Sequence, residues 1–222
     1  MVHAQAQGTR LVGRRPDRLP DHLQALYDER RQAIRRRLQD FASVPSERYF
    51  YEACFCVCTP QSKAASANVV VMRLEEARFL ERGGDPSPLL RSAEHYIRFH
   101  TTKSGRLLRL REEWGSLLDL IRSTPDSSVL RDTLVERIDG YGLKEASHFL
   151  RNIGRRDLAI IDRHLLRNLV DCGLYMEIPN VSTRKRYLGV EGEFRRFSDR
   201  IGIPMDELDL LFWSAITGEI LK

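Results

Sequence analysis

At 222 residues, 42% hydrophobic and 30% charged, the chain is long enough to bury a real core as one large domain or two small ones. No apolar run approaches the roughly 20 residues that cross a bilayer, and Met1–Pro20 carries arginines but no apolar stretch of a secretory signal. A membrane protein and a secreted one are both excluded as expectations. The formal charge of +5 comes from 36 basic against 31 acidic residues. Through Arg37 the count is nine basic to four acidic, so a basic amino end precedes a body that is neutral overall.

Taken in chain order, the periodicity is helical almost throughout. Leu19, Leu23, Leu26, Ile34, Leu38 and Phe41 fall at three- or four-residue steps or their multiples and predict one long amphipathic helix. The run Tyr49–Val57 is apolar, and Val69-Val70-Val71 tempts a strand assignment within a longer helical pattern. Leu107, Leu110, Trp114, Leu117 and Ile121 predict another helix, as do Leu143, Ala146, Leu150 and Ile153, then Met205, Leu208, Leu211, Phe212 and Ala215. Breaks fall at Pro45, Thr59-Pro60, Gly83–Pro86, Thr124-Pro125, Gly154, Cys172-Gly173, Pro179 and Gly202–Pro204. The expected fold is all-α, with about nine to eleven helices in two helical subdomains flanking a cleft. Residues 1–18 are expected to be a disordered basic tail. Residues 41–121 are expected to form one bundle, and 19–40 plus 122–222 the other.

The polar inventory narrows the chemistry. Cys54, Cys56, Cys58 and Cys172 are too few for a disulfide framework, and Cys-x-Cys-x-Cys lacks the paired spacing of structural zinc. Buried free thiols are the better reading, and no metal site is expected. Two basic stretches, Arg98–Arg111 and Arg184-Lys185-Arg186, suit phosphate backbones or solvated helix faces. Only five of the basic residues are lysine: Lys63, Lys103, Lys144, Lys185 and Lys222. Guanidinium stays charged, whereas an amine can lose its proton and act as a nucleophile. A lysine at a special turn therefore stands out.

Lys144 is that lysine. In Ile138-Asp139-Gly140-Tyr141-Gly142-Leu143-Lys144 two glycines flank one residue, permitting positive φ at both. Such a turn can present consecutive backbone N–H groups, with the next helix's amino end, as a nest for one phosphate. At a helix start the macrodipole disfavours an ammonium, which suits an amine that attacks carbon. An amine so placed could attack C1′ of a nucleoside, expel the base and leave a Schiff base whose β-elimination nicks the strand. The plainer alternative is a lysine that only touches phosphate. Eighteen positions on, Asp162 follows Ile160-Ile161 and precedes Arg163-His164. It reads as the N-cap or first residue of a helix, where amide donors stabilise carboxylate. Such an anion could stabilise charge developing on a sugar, or it could be a plain cap.

The stretch Gly140–Gly154 (GYGLKEASHFLRNIG), followed by Ala159-Ile160-Ile161-Asp162-Arg163-His164, resembles the helix–hairpin–helix DNA glycosylase superfamily. Within it, the chain most resembles the archaeal-type 8-oxoguanine DNA glycosylase/AP lyase family. Thr59-Pro60-Gln61, the ending Thr217–Lys222 and the lack of a cluster-binding cysteine set agree with it.

The resemblance implies Lys144 as Schiff-base nucleophile, Asp162 as its carboxylate partner, and Gly140 and Gly142 at the phosphate. Gln61 matches the position that fills the gap left by an extruded base, though it could equally cap the helix after Pro60. Lys222 would enter the base pocket, where its terminal carboxylate accepts from the N7–H that distinguishes 8-oxoguanine from guanine. Trp213 or Phe212 would stack on the flipped base, or pack in the core. His148 is expected to hydrogen-bond within the hairpin helix, and His164 to neighbour the site. The implied partner is double-stranded DNA containing 8-oxoguanine, handled by a cytoplasmic, chromosome-associated monomer without cofactor or metal. Two alternatives stay open: a glycosylase for a different lesion, and a non-catalytic helix–hairpin–helix module that only clamps DNA.

Overall fold

The computed structural model describes residues 16–220. The expected tail, 1–18, therefore lies almost wholly outside the described residues, as does Lys222. Among the described residues the fold is all-α, with eleven α-helices and no strand. In chain order these are α1 (Asp21–Ala42), α2 (Tyr49–Cys58), α3 (Ala64–Glu76), α4 (Phe79–Arg82), α5 (Ser87–Leu90), α6 (His100–Ser123), α7 (Ser127–Arg137), α8 (Leu143–Asn152), α9 (Arg163–Asp171), α10 (Arg184–Ile201) and α11 (Met205–Thr217). No helix among the described residues is long and apolar enough to cross a membrane.

The chain divides into two compact units. One joins the chain up to Leu38 with the chain from Ala159 onward, and the other is Gln39–Leu158. This corrects the expected partition, which grouped 122–158 with the terminal segments. The reason is packing that periodicity does not encode. α8 lies against α2, and the buried Tyr141 hydroxyl donates to the Ala53 carbonyl at 3.0 Å.

In the Gln39–Leu158 unit, α2 is the axis. Phe50 through Cys58 are all buried, as expected of a helix apolar on every side. α3, α6 and α8 surround it. Phe50 meets Trp114 edge-on at 5.3 Å between centroids, and Phe55 and Phe149 are fully buried. The valine triplet belongs to α3, where Val70 and Val71 face the core. α8 ends in a tight contact at Gly154. Its φ is +85°, and a Cβ there would lie 2.6 Å from the Ala42 Cα, so this position requires glycine.

In the other unit, α1 is bolted to α11 by polar groups. The Tyr27 hydroxyl donates to Glu207 at 2.6 Å, Arg35 Nε donates to the same carboxylate at 3.1 Å, and Arg30 donates to the Ser214 carbonyl at 2.7 Å. Burial first, and then Glu207, raise the pKa of Tyr27. Two arginines of the basic amino end are thus spent on the fold.

Candidate active site

The hairpin joins α7 to α8. Asp126 caps α7, its Oδ1 accepting from the Ser128 and Val129 amides at 2.8 and 2.9 Å. Past Arg137 the chain turns, with the Tyr141 amide donating to the Ile138 carbonyl at 3.0 Å. Only Gly140 takes positive φ, at +87°. Gly142 is extended (φ −109°, ψ −176°) and is the N-cap of α8, which corrects the expectation of two left-handed glycines. Its amide donates to Glu145 Oε2 at 3.2 Å, the backward half of a capping box. Two hairpin amides, those of Tyr141 and Gly142, are therefore engaged within the protein, and the expected nest is narrower. The donors that lack an intrahelical acceptor are the first-turn amides of α8.

Lys144 stands on that first turn. Its Nζ lies 3.0 Å from Glu145 Oε1, with the lysine side chain 35% exposed and the glutamate 14%. One carboxylate thus holds both the hairpin backbone and the candidate nucleophile. Sequence reasoning missed Glu145, although a glutamate three residues after an N-cap is the signature of a capping box. Tyr141 was missed too. It reads as a turn residue, yet it is the buried peg fixing the hairpin to α2, and burial raises its hydroxyl pKa well above the ordinary value.

The basic stretch Arg98–Arg111 is mostly committed inside the protein. Lys103 is buried. Arg106 and Arg109 both pair with Asp139, and the Arg106 guanidinium lies directly under Gly140. Arg111 donates to the Phe79 and Leu80 carbonyls at 2.9 Å. These side chains brace the hairpin and α4. Arg184-Lys185-Arg186, in contrast, is exposed on the first turn of α10.

Gln61 is exposed in the turn between α2 and α3, with φ +57°. It does not cap a helix: α3 starts three residues later, behind Lys63, without a side-chain cap. Close by, the Arg98 amide donates to Ser62 Oγ at 3.0 Å. Arg98 also lies 5.0 Å over the Phe99 ring, and Phe99 and Tyr96 are each 50% exposed. This aromatic and basic patch beside Gln61 was missed, though Tyr-x-Arg-Phe-His spells it in sequence. His148, one of the two flagged histidines, packs edge-on against Phe55 at 5.6 Å.

In the other unit Asp162 is the N-cap of α9. Its Oδ1 accepts from the His164 and Leu165 amides, both at 2.8 Å, and Oδ2 takes no part in those bonds. Side chains of α10 hold the segment before it. Glu191 accepts from the Ala159 amide at 2.9 Å. The Tyr187 hydroxyl donates to the Ala159 carbonyl at 2.7 Å and accepts from the Ile161 amide at 3.2 Å. Neither was flagged from sequence, because nothing local links residues about 30 positions apart.

α11 separates the two aromatic candidates. Phe212 is fully buried, 6.0 Å from Phe194. It is a core residue with no face to offer a base, which corrects that assignment. Trp213 is partly exposed and meets His164 edge-on at 5.3 Å. Lys222 lies outside the described residues. Among the described residues, no group of three potential metal ligands occurs.

Lys144 at the start of the second helix of a helix–hairpin–helix, and Asp162 capping a later helix, are the features that carry the resemblance to the helix–hairpin–helix DNA glycosylases. The family model described as 8-oxoguanine DNA glycosylase matches residues 34–203. An 8-oxoguanine DNA glycosylase/AP lyase of Fusobacterium nucleatum is 34% identical over 212 residues, covering 91% of this chain and 97% of that protein. The protein of that name from Methanocaldococcus jannaschii is 34% identical over 192 residues, 85% of this chain and 91% of its own length. The crystal structure of the M. jannaschii enzyme in complex with a 15mer DNA containing 8-oxoguanine superposes with a TM-score of 0.78 at 30% identity, covering 90% of this chain and 97% of that one. The 8-oxoguanine DNA glycosylase of Thermotoga maritima gives 0.77 at 31% identity, covering 90% and 97%. The chain belongs to the 8-oxoguanine DNA glycosylase family.

Proposed function

We propose that the protein is a bifunctional base-excision enzyme that removes 8-oxoguanine from duplex DNA and nicks the resulting site. The observation that carries this is the placement of Lys144 on the first turn of α8, directly behind the hairpin, in a chain of this family. The first-turn amides of α8, opened to solvent by the turn through Gly140 and Gly142, hold a phosphate beside the lesion, which fixes register without reading sequence. The exposed cluster Arg184–Arg186 adds electrostatic attraction to the backbone. Gln61 fills the space vacated by the extruded nucleotide. Trp213 offers the aromatic surface for the flipped base, and Lys222 belongs to its pocket, as the resemblance implies. Such an enzyme works on chromosomal DNA as a monomer.

The chemistry follows from the side chains. Lys144 must leave Glu145 and give up a proton before its nitrogen can bond to C1′. As that bond forms, the glycosidic bond breaks and the base departs with the electron pair. The nitrogen then expels the sugar-ring oxygen, giving an imine at C1′. The imine acidifies C2′; loss of that proton and departure of the 3′-phosphate cut the strand. Asp162, kept in place by the α9 amides, stabilises the positive charge that develops on the sugar.

Borohydride treatment on a duplex with one 8-oxoguanine opposite cytosine tests this, beside an undamaged duplex and the Lys144→Gln variant. A covalent adduct should form only with wild-type protein and the lesion, while Lys144→Gln still binds DNA. An adduct with the variant sinks the nucleophile assignment. Tight binding without any adduct points to another lesion, or to a module that only clamps DNA.

A further inference from the structure

Lys103 is one of the largest fully buried side chains in its unit, at 2% exposure, and the mechanism above does not use it. A lysine is seldom buried unless its ammonium is fully engaged. Here all three donors have acceptors in one short turn. Nζ donates to the Cys58 carbonyl at 2.7 Å, to the Pro60 carbonyl at 2.6 Å and to Ser62 Oγ at 3.3 Å. Those residues bracket Gln61. Thr59 ties the start of the turn back to α2 through its amide to the Phe55 carbonyl at 3.0 Å and its hydroxyl to the Cys56 carbonyl at 3.4 Å. Beyond it the turn is held by the Ser62 amide to the Thr59 carbonyl at 2.9 Å and the Arg98 amide to Ser62 Oγ at 3.0 Å. Gln61 itself sits at φ +57°, a conformation that costs a non-glycine residue energy and persists only when its surroundings impose it.

The geometry points to Lys103 as the positioning residue of Gln61: its ammonium clamps the Cys58 and Pro60 carbonyls before it and the Ser62 hydroxyl after it, and holds that side chain out toward the DNA. An apolar side chain at 103 would leave two inward-facing carbonyls unmet, so the turn would reorganise. This inference rests on the reading of Gln61 as the gap-filling residue. It assigns Lys103 no contact with the substrate. The ammonium acts through backbone geometry alone.

The test is a double-mutant cycle with Gln61→Ala, Lys103→Met and the double variant. It is read as single-turnover excision of 8-oxoguanine opposite cytosine, and as cleavage of a duplex with a preformed abasic site. If Lys103 acts through Gln61, each single variant slows excision by about tenfold or more, and the double variant is no slower than Gln61→Ala. Cleavage at the abasic site, where no base has to be extruded, falls by less than about threefold in Lys103→Met. Losses that multiply in the double variant overturn the positioning role, because Lys103 then acts independently of Gln61. Wild-type excision by Gln61→Ala instead overturns the reading of Gln61. Should Lys103→Met fail to fold, Ser62→Ala, which removes the third acceptor, replaces it in the cycle with a smaller effect of the same pattern.

Discussion

Replacing Tyr187 by phenylalanine removes a single hydroxyl oxygen, and the structure fixes what that oxygen does. It donates to the Ala159 carbonyl at 2.7 Å and accepts from the Ile161 amide at 3.2 Å. Ala159, Ile161 and Tyr187 are all buried, so water cannot readily replace either bond. Each stranded group costs about 1–3 kcal/mol. The longer bond belongs near the bottom of that range, so Tyr187→Phe should lose about 2–4 kcal/mol in total. Equilibrium urea unfolding would show this as a lower midpoint with an unchanged slope. The same change should reach the chemistry, because Asp162 directly follows Ile161. With its approach to α9 loosened, single-turnover excision should slow by about tenfold, equivalent to about 1.4 kcal/mol of barrier. A stability loss below about 0.5 kcal/mol would refute the hydrogen-bond reasoning. The full stability loss with an unchanged excision rate would refute the link to Asp162.

Two further outcomes follow from burial and backbone geometry. Burial, with Arg106 and Lys144 nearby, lowers Lys103 from the ordinary 10.5 to about 8. The folded protein therefore carries the full cost of this charge below pH 8 and sheds it as the pH rises to 10.5, where the unfolded chain also loses the proton. The gap between the two values corresponds to about 3 kcal/mol. Wild-type stability should accordingly rise by that amount relative to Lys103→Met between pH 8 and 10.5, and parallel curves in paired urea titrations would contradict it. Gly154→Ala combines a left-handed residue, about 1–2 kcal/mol, with a backbone clash, about 1–3 kcal/mol. Its Tm should drop by about 4–20 °C. Gly173→Ala, at φ +76° but with open space around it, should lose only the conformational part; equal losses in the two variants would remove the clash from the account.

The helices were legible wherever an apolar stripe repeats, as in α1, α6, α8 and α11. So was the cap at Asp162, because capping is a local affair of one side chain and the next amides. The four-residue helices α4 and α5 were not, being too short to show a period. The hairpin's position in the fold was not legible either. Tyr141 looks like a polar turn residue until its hydroxyl is found on Ala53. The basic stretch on α6 carries a similar lesson: composition counts charges, but not the Asp139 carboxylate or the α4 carbonyls that consume them. Phe212 and Trp213 are adjacent in sequence, yet helical geometry sends one into the core and leaves the other partly exposed. The roles of Lys103, Tyr187 and Glu191 were not legible for one shared reason: each serves backbone groups about 26–45 positions away.

Making α2 the axis of its unit also decides the fate of three of the protein's four thiols, Cys54, Cys56 and Cys58. All four cysteines are free and buried. Burial pushes Cys58 and Cys172 up to about 12, and Cys54 well above its ordinary value. The species that attacks peroxide is the thiolate, and at neutral pH these groups hold almost none. A repair enzyme for oxidised guanine is needed when oxidants are abundant. Its own thiols are kept chemically quiet under the conditions that create its substrate.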